Sequence, residues 1–138
     1  MTTIVWHQEG VLATDRMAVS DGIASKCQKL FTLDHYAIAV SGTLSCGPAF
    51  VRWFTHLTGD CPLDDDTIVY VMDLNTGQCD EFDSNGVGIS LNPPFASSGT
   101  GSGIALGVLE MGGTPHQAIE IASKYDINTG LGVDLVKI

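Results

Sequence analysis

Short apolar runs separated by Gly, Asn and Asp dominate the chain, and their spacing predicts more strand than helix. Thr2–His7 and Val11–Asp15 flank Gln8-Glu9-Gly10, a hairpin signal with a glycine available for positive φ. Met17–Ala24 is mixed, with a turn at Asp21-Gly22. Lys26–Leu33 and Tyr36–Val40 form a second hairpin around Asp34-His35, and the unbroken apolar run of its second arm predicts burial on both faces. Pro48–Leu57 reads as a helix, with Phe50, Val51, Phe54 and Leu57 on one face and Gly59 as its C-cap. Thr67–Met72 and Gln78–Phe82 make a third hairpin around Asn75-Thr76-Gly77.

Asn85-Gly86 and Asn92-Pro93-Pro94 then mark a loop-rich stretch with room for a short strand at Gly88–Leu91, and Phe95–Ser98 leads into Gly99-Thr100-Gly101-Ser102-Gly103. Ile104, Ala105, Val108, Leu109 and Met111 lie at helical spacing until Gly112-Gly113 stops them. Thr114-Pro115 opens another helix as N-cap and first-turn proline, with Ala118, Ile119, Ile121 and Ala122 as its buried face. Val133–Ile138 is a last strand. Hairpins beside an adjacent helix pair predict antiparallel sheets covered by helices, not a doubly wound parallel sheet.

Composition narrows the class. With 138 residues, 44% hydrophobic and 16% charged, the chain suits one ordered domain, 1–138. A formal charge of −10 argues against a nucleic-acid partner, because phosphate neutralisation needs a basic surface. No apolar run reaches the length of a membrane span. Cys27, Cys46, Cys61 and Cys79 lack CxxC spacing and read as reduced thiols of a cytoplasmic protein. His7, His35, His56 and His116 show no metal-ligand spacing. The glycine-rich Gly99–Gly103 lacks the GK[ST] ending of a phosphate loop, and no GxSxG motif supports Ser-His-Asp chemistry.

The candidate chemistry sits at the start. If Met1 is removed, Thr2 carries a hydroxyl and a free α-amine on one residue, so the nucleophile brings its own base, with a pKa near 8. By themselves, Asp15 at a strand end reads as a turn-former and Lys29 as a solvent-facing strand residue.

Thr2-Thr3-Ile4-Val5 resembles the mature N-terminus of proteasome β-subunits and of HslV, the bacterial proteasome-like peptidase. Ala13-Thr14-Asp15, Lys29-Leu30-Phe31-Thr32-Leu33 and Ala39-Val40-Ser41-Gly42 continue the resemblance. So do Gly99-Thr100-Gly101-Ser102-Gly103 with Ala105-Leu106-Gly107, and Asp126-Ile127-Asn128-Thr129-Gly130. The resemblance covers roughly the first 45 and last 43 residues; the middle matches poorly, with two long central helices reduced to one short one. It implies a shortened N-terminal-nucleophile (Ntn) hydrolase with an α+β fold, a four-layer αββα sandwich of two antiparallel sheets.

The same resemblance implies roles for individual residues. Thr2 would be nucleophile and base of a threonine-type endopeptidase, Lys29 the charge beside it, and Asp15 the group holding Lys29. The Gly42 N–H would face the oxyanion, a donor typically worth about 3 kcal/mol of barrier. Thr100 falls where many relatives have a serine assisting the amine, and its extra methyl crowds that side; Asp126 and Thr129 complete the set. Ala18, Cys27 and Val40 would line the pocket for the residue preceding the scissile bond and favour apolar side chains. Backbone carbonyls around Ser123, Asp126 and Thr129 are a candidate site for a monovalent cation such as Na+; no other cofactor is expected. Expected partners are a peptide or unfolded-protein substrate, other copies in a homo-oligomeric ring, and an ATP-dependent unfoldase. Two alternatives stay open: an inactive scaffold or binding protein that keeps Met1, and a small-molecule amidase.

Overall fold

The computed structural model describes residues 2–138, so Met1, whose removal the expected Thr2 nucleophile would require, lies outside the described residues. Strands β1 (Ile4–His7) and β2 (Val11–Asp15) pair antiparallel with Ile4 opposite Thr14. Gly10 takes φ +83° in the turn between them. Strands β3 (Met17–Ser20) and β4 (Ile23–Lys26) form a separate two-stranded hairpin. Its turn residues Asp21 and Gly22 both have positive φ, as a two-residue hairpin turn demands. The apolar pattern hides this hairpin because β4 is exposed along its whole length and has no core face to alternate against.

β5 (Leu30–Leu33) and β6 (Tyr36–Ser41) lead to helix α1 (Cys46–His56), followed by β7 (Ile68–Asp73), β8 (Cys79–Phe82) and β9 (Ile89–Ser90). These five strands form one antiparallel sheet in chain order. β5 is shorter than the predicted 26–33 arm, and Lys29 falls just before it, although its carbonyl still accepts from the Val40 N–H at 3.0 Å. α1 ends at Leu57, not at Gly59: Leu57 adopts the left-handed conformation (φ 51°, ψ 35°) and its N–H closes on the Trp53 carbonyl.

The last segment holds β10 (Phe95–Ser98), α2 (Ser102–Glu110), α3 (Pro115–Tyr125) and β11 (Val133–Lys137). β10 is a strand, not a mere lead-in to the glycines, and its two serines and adjoining prolines mask that in the sequence. It pairs with β1 and completes a second antiparallel sheet of order β10-β1-β2-β11. α3 starts as expected, with Thr114 and Gln117 forming a reciprocal capping box and Pro115 in the first turn.

Three apolar clusters show how the two sheets and three helices share their faces. Ile4, Trp6 and Leu12 meet Leu30, Ala37, Ala39, Tyr70 and Met72 between the sheets. Val5 and Ala13, on the opposite face of β1 and β2, pack against Ala105, Leu109, Ala118 and Ile119 of α2 and α3. Ile38, Val40, Val69 and Val71 turn the other way, towards Cys46 and Phe50 of α1. The apolar run of β6 is therefore buried on both faces, as its sequence predicts. These layers fix the positions of four chain ends that matter next: the start of β1, the end of β2, the entry to β5 and the exit of β6.

Candidate active site

Thr2 and Thr3 enter β1 fully buried, in a space that only glycine leaves open. A Cβ on Gly99, which has φ +105°, would overlap the carbonyl oxygen of Thr2 and come within 3.0 Å of Ser41 Oγ. A Cβ on Gly101 would overlap Thr3 Oγ1 and lie 3.1 Å from Thr129 Oγ1. The glycine-rich segment thus serves close backbone approach to the chain's beginning. Ser41, which abuts Gly99 from the other side, immediately precedes Gly42.

Lys29 donates from Nζ to Thr2 Oγ1 at 2.7 Å and to Asp15 Oδ1 at 3.0 Å. Both members of the ion pair are buried, Lys29 at 1% exposure and Asp15 at 0%, which overturns the turn-former and solvent-facing readings of these residues. A buried carboxylate persists only when its lone pairs are used. Asp15 meets that demand with four donors. Besides Lys29, Oδ1 accepts from the Thr3 N–H at 3.3 Å, and Oδ2 from the N–H groups of Met17 and Gly130 at 3.2 and 3.0 Å. The Gly130 carbonyl in turn accepts from the Arg16 N–H at 3.0 Å, so the 126–130 loop is pinned to the end of β2 through both the N–H and the carbonyl of one residue. Arg16 itself is tied to Asp134 of β11 at 2.7 Å.

A hydroxyl relay runs from Thr3 outward. Thr129 Oγ1 donates to Asp126 Oδ2 at 2.6 Å and therefore accepts from Thr3 Oγ1 at 2.8 Å. Thr100 Oγ1 also donates to Asp126 Oδ2 at 2.6 Å, while Oδ1 accepts from the Asn128 N–H at 3.1 Å. Burial pushes the Asp126 carboxyl up, but the Thr100 and Thr129 hydroxyls and the Asn128 N–H outweigh it, leaving it below the usual carboxylate range. Cys27 stands within the field of the same charges; burial raises its thiol pKa, Lys29 opposes that and Asp15 adds to it.

Gly42 follows the end of β6 with φ +121°, and a Cβ there would overlap the Asp66 carbonyl oxygen and lie 2.8 Å from Thr67 Oγ1. Among the described residues, no atom accepts from the Gly42 N–H. A cavity of about 350 Å³ opens beside it, lined by Met17, Ala18 and Val19 of β3 and by Gly42, Thr43 and Leu44 among others. Ala18 lines this cavity, whereas Cys27 and Val40 do not; Val40 packs into the cluster beneath α1. A further cavity of about 260 Å³, lined by Trp6, Gly77, Cys79 and Pro93 among others, shares no residue with this site.

Among the described residues, no group of three or more His, Cys, Asp or Glu could hold a metal ion. The Ser123–Thr129 stretch offers a different donor set, carbonyls at the end of α3, where a helix is negative and its last carbonyls lack intrahelical partners. The Asp126 carbonyl already accepts from the Thr129 N–H at 3.1 Å, and a second lone pair remains.

The sequence reading gave no individual role to Thr3, Gly99, Gly101, Gly130, Asp64 or Thr67. For Thr3 a signal exists: a hydroxyl at the core end of a strand needs a partner. For Gly99 and Gly101 it is their density before a helix. For Asp64 there is none, since it lies in a polar loop, and Thr67 reads only as the first residue of the expected 67–72 strand, which begins at Ile68.

This arrangement of paired antiparallel sheets and flanking helices is an HslV-like fold. Two solved structures of BPH from Thiobacillus denitrificans, one of them in complex with epoxomicin, match with a TM-score of 0.73 and 14% identity, over 100% of this chain and 97–98% of theirs. Eukaryotic HslV from Trypanosoma brucei matches with a TM-score of 0.75 and 16% identity over 98% of both chains. The resemblance read from the sequence is thus met by the fold, and the match runs through the middle segment that the motifs left uncovered. No protein-family model matches the sequence, and no curated protein does.

Proposed function

We propose that the chain is a threonine-type peptidase, a single Ntn-type domain of four αββα layers spanning residues 1–138. The three apolar clusters support the layering. One observation carries the reaction: a buried ammonium, held by Asp15, lies 2.7 Å from the Thr2 hydroxyl oxygen. Removal of Met1 gives Thr2 the free α-amine that serves as base. The amine takes the Oγ proton, and the Lys29 charge stabilises the oxygen as it becomes negative. Oγ attacks the amide carbonyl seated beside Gly42, whose N–H receives the developing oxyanion. The protonated amine returns its proton to the leaving nitrogen, and an ester on Thr2 remains. Water activated by the same amine then releases the acid and restores the hydroxyl.

The Asp126–Thr129–Thr3 relay anchors the residue next to the nucleophile, and Thr100 supports it through Asp126. A monovalent cation held by the Ser123, Asp126 and Thr129 carbonyls would add positive charge at the end of α3. Ala18 and its neighbours leave an uncharged cavity that favours an apolar side chain before the scissile bond. The likeness to HslV supports a homo-oligomeric ring, an unfoldase partner and a cytoplasmic setting as parts of this proposal. No helix among the described residues is long and apolar enough to cross a membrane.

Turnover of a fluorogenic peptide amide tests the reading. Wild-type protein cleaves it, Thr2→Ser keeps part of the rate, and Thr2→Ala has none. Equal cleavage by Thr2→Ala overturns the mechanism, and retention of Met1 with no cleavage favours the scaffold alternative.

A further inference from the structure

The turn that carries the oxyanion donor is held from behind by a loop whose residues take no part in the chemistry. The Thr43 N–H donates to Thr67 Oγ1 at 3.0 Å, and the Thr67 hydroxyl passes its own proton to Asp64 Oδ1 at 2.6 Å. Thr43 Oγ1 donates to Asp64 Oδ2 at 2.6 Å. One carboxylate therefore grips both ends of Thr43, directly through the side chain and through Thr67 to the backbone. The Asp66 N–H donates to Asp64 Oδ1 at 3.1 Å and fixes the carboxylate within its own loop. Gly42, next to Thr43, rests on the same loop so closely that a Cβ would strike Asp66 and Thr67. Thr67 is buried at 1% exposure, so its hydroxyl has no water to replace these partners.

We propose that Asp64 and Thr67 are positioning residues that aim the Gly42 N–H at the substrate carbonyl. The inference rests on the peptidase reading above and adds to it residues from the 57–67 connection, which carry none of the proposed proton transfers. The peptide plane that presents the Gly42 N–H is free to rotate, because glycine tolerates a wide φ range. Thr43, immobilised at its N–H and its hydroxyl, removes that freedom on one side, and the Asp66–Thr67 backbone blocks it on the other. An oxyanion donor is effective only when fixed in place before charge develops, and a misplacement of about 1 Å costs up to about a hundredfold in rate.

The test is steady-state cleavage of a fluorogenic peptide amide by the full chain carrying Asp64→Ala, Thr67→Val or Thr67→Ser, with thermal unfolding of each. Asp64→Ala and Thr67→Val should lower kcat about tenfold or more with KM within about twofold, and Thr67→Ser, which keeps the hydroxyl, should stay within about twofold of wild type. Unchanged kcat in both loss variants, with an active wild type, overturns the inference and leaves the peptidase reading standing. A rise in KM alone also overturns it, because the loop would then shape only the cavity wall. If Asp64→Ala does not fold, the Val and Ser variants at Thr67 decide. Failure of both Asp64→Ala and Thr67→Val to fold makes the clamp a folding element and overturns the inference. A wild type without Thr2-dependent cleavage defeats the peptidase reading, and this inference falls with it.

Discussion

Lys29 Nζ lies 2.7 Å from Thr2 Oγ1 and 3.0 Å from Asp15 Oδ1, so one buried cation bridges the candidate nucleophile and the carboxylate. Its removal should damage stability and chemistry together. Lys29→Met keeps the length of the side chain but leaves Asp15 buried without its cation, an arrangement that costs about 3–5 kcal/mol. Urea unfolding should show that loss, and reaction with a threonine-directed electrophile should disappear at temperatures where the variant is still folded.

Two glycines four residues apart in the same segment, Gly99 and Gly103, should respond with opposite sign to alanine. Gly99→Ala forces a side chain onto φ +105° and into the Thr2 carbonyl. Strain of this kind costs on the order of 1–3 kcal/mol, before the steric overlap is counted. Gly103 sits in α2 with open space around its Cβ position, so Gly103→Ala should stabilise by about 0.5–1 kcal/mol. Thermal unfolding of the pair checks both signs.

The Asp126 carboxyl is held below its ordinary range by the Thr100 and Thr129 hydroxyls and the Asn128 N–H, against the opposing push of burial. A folded-state value below the unfolded one means that the unfolded chain binds the proton more tightly. The stabilising contribution is therefore complete above about pH 4 and fades as pH falls through the lowered value. Thr100→Ala removes one donor, so a carboxyl NMR titration should show the Asp126 midpoint rising, and acid unfolding should begin at a higher pH. An unmoved midpoint contradicts the hydrogen-bond account.

Specificity sets a local effect against a global one. The net charge of −10 draws cationic peptides in at long range, whereas the cavity beside Gly42 holds no charge to pair with them. At about 0.15 M salt, where long-range steering is screened, a peptide with Leu before the scissile bond should exceed its Arg and Glu counterparts by about tenfold in kcat/KM. Faster cleavage of either charged peptide overturns the assignment of this cavity.

The sequence made the order of strands and helices legible wherever an element has a core face to alternate against, as in β6 and α3. It concealed β4, which is exposed throughout, and β10, whose serines and neighbouring prolines look like loop. It offered Gly59 as a helix cap, although Leu57 adopts the left-handed conformation there, supported by the Trp53 carbonyl. Thr2, Asp15 and Lys29 were legible as a set only through resemblance, because nothing local distinguishes a buried ion pair from two surface charges. The Asp64–Thr67–Thr43 clamp was not legible at all. It depends on a loop folding back across the exit of β6, and hydrogen bonds over such separations leave no periodic trace.

Intact-mass spectrometry after incubation with a peptide epoxyketone, or with epoxomicin as held by BPH, tests the central claim most directly. The predicted spectrum shows the chain lacking its initiator methionine and carrying one inhibitor, with no adduct on Thr2→Ala. A wild-type chain that loses Met1 yet stays unmodified, or an adduct that persists in Thr2→Ala, would contradict the account.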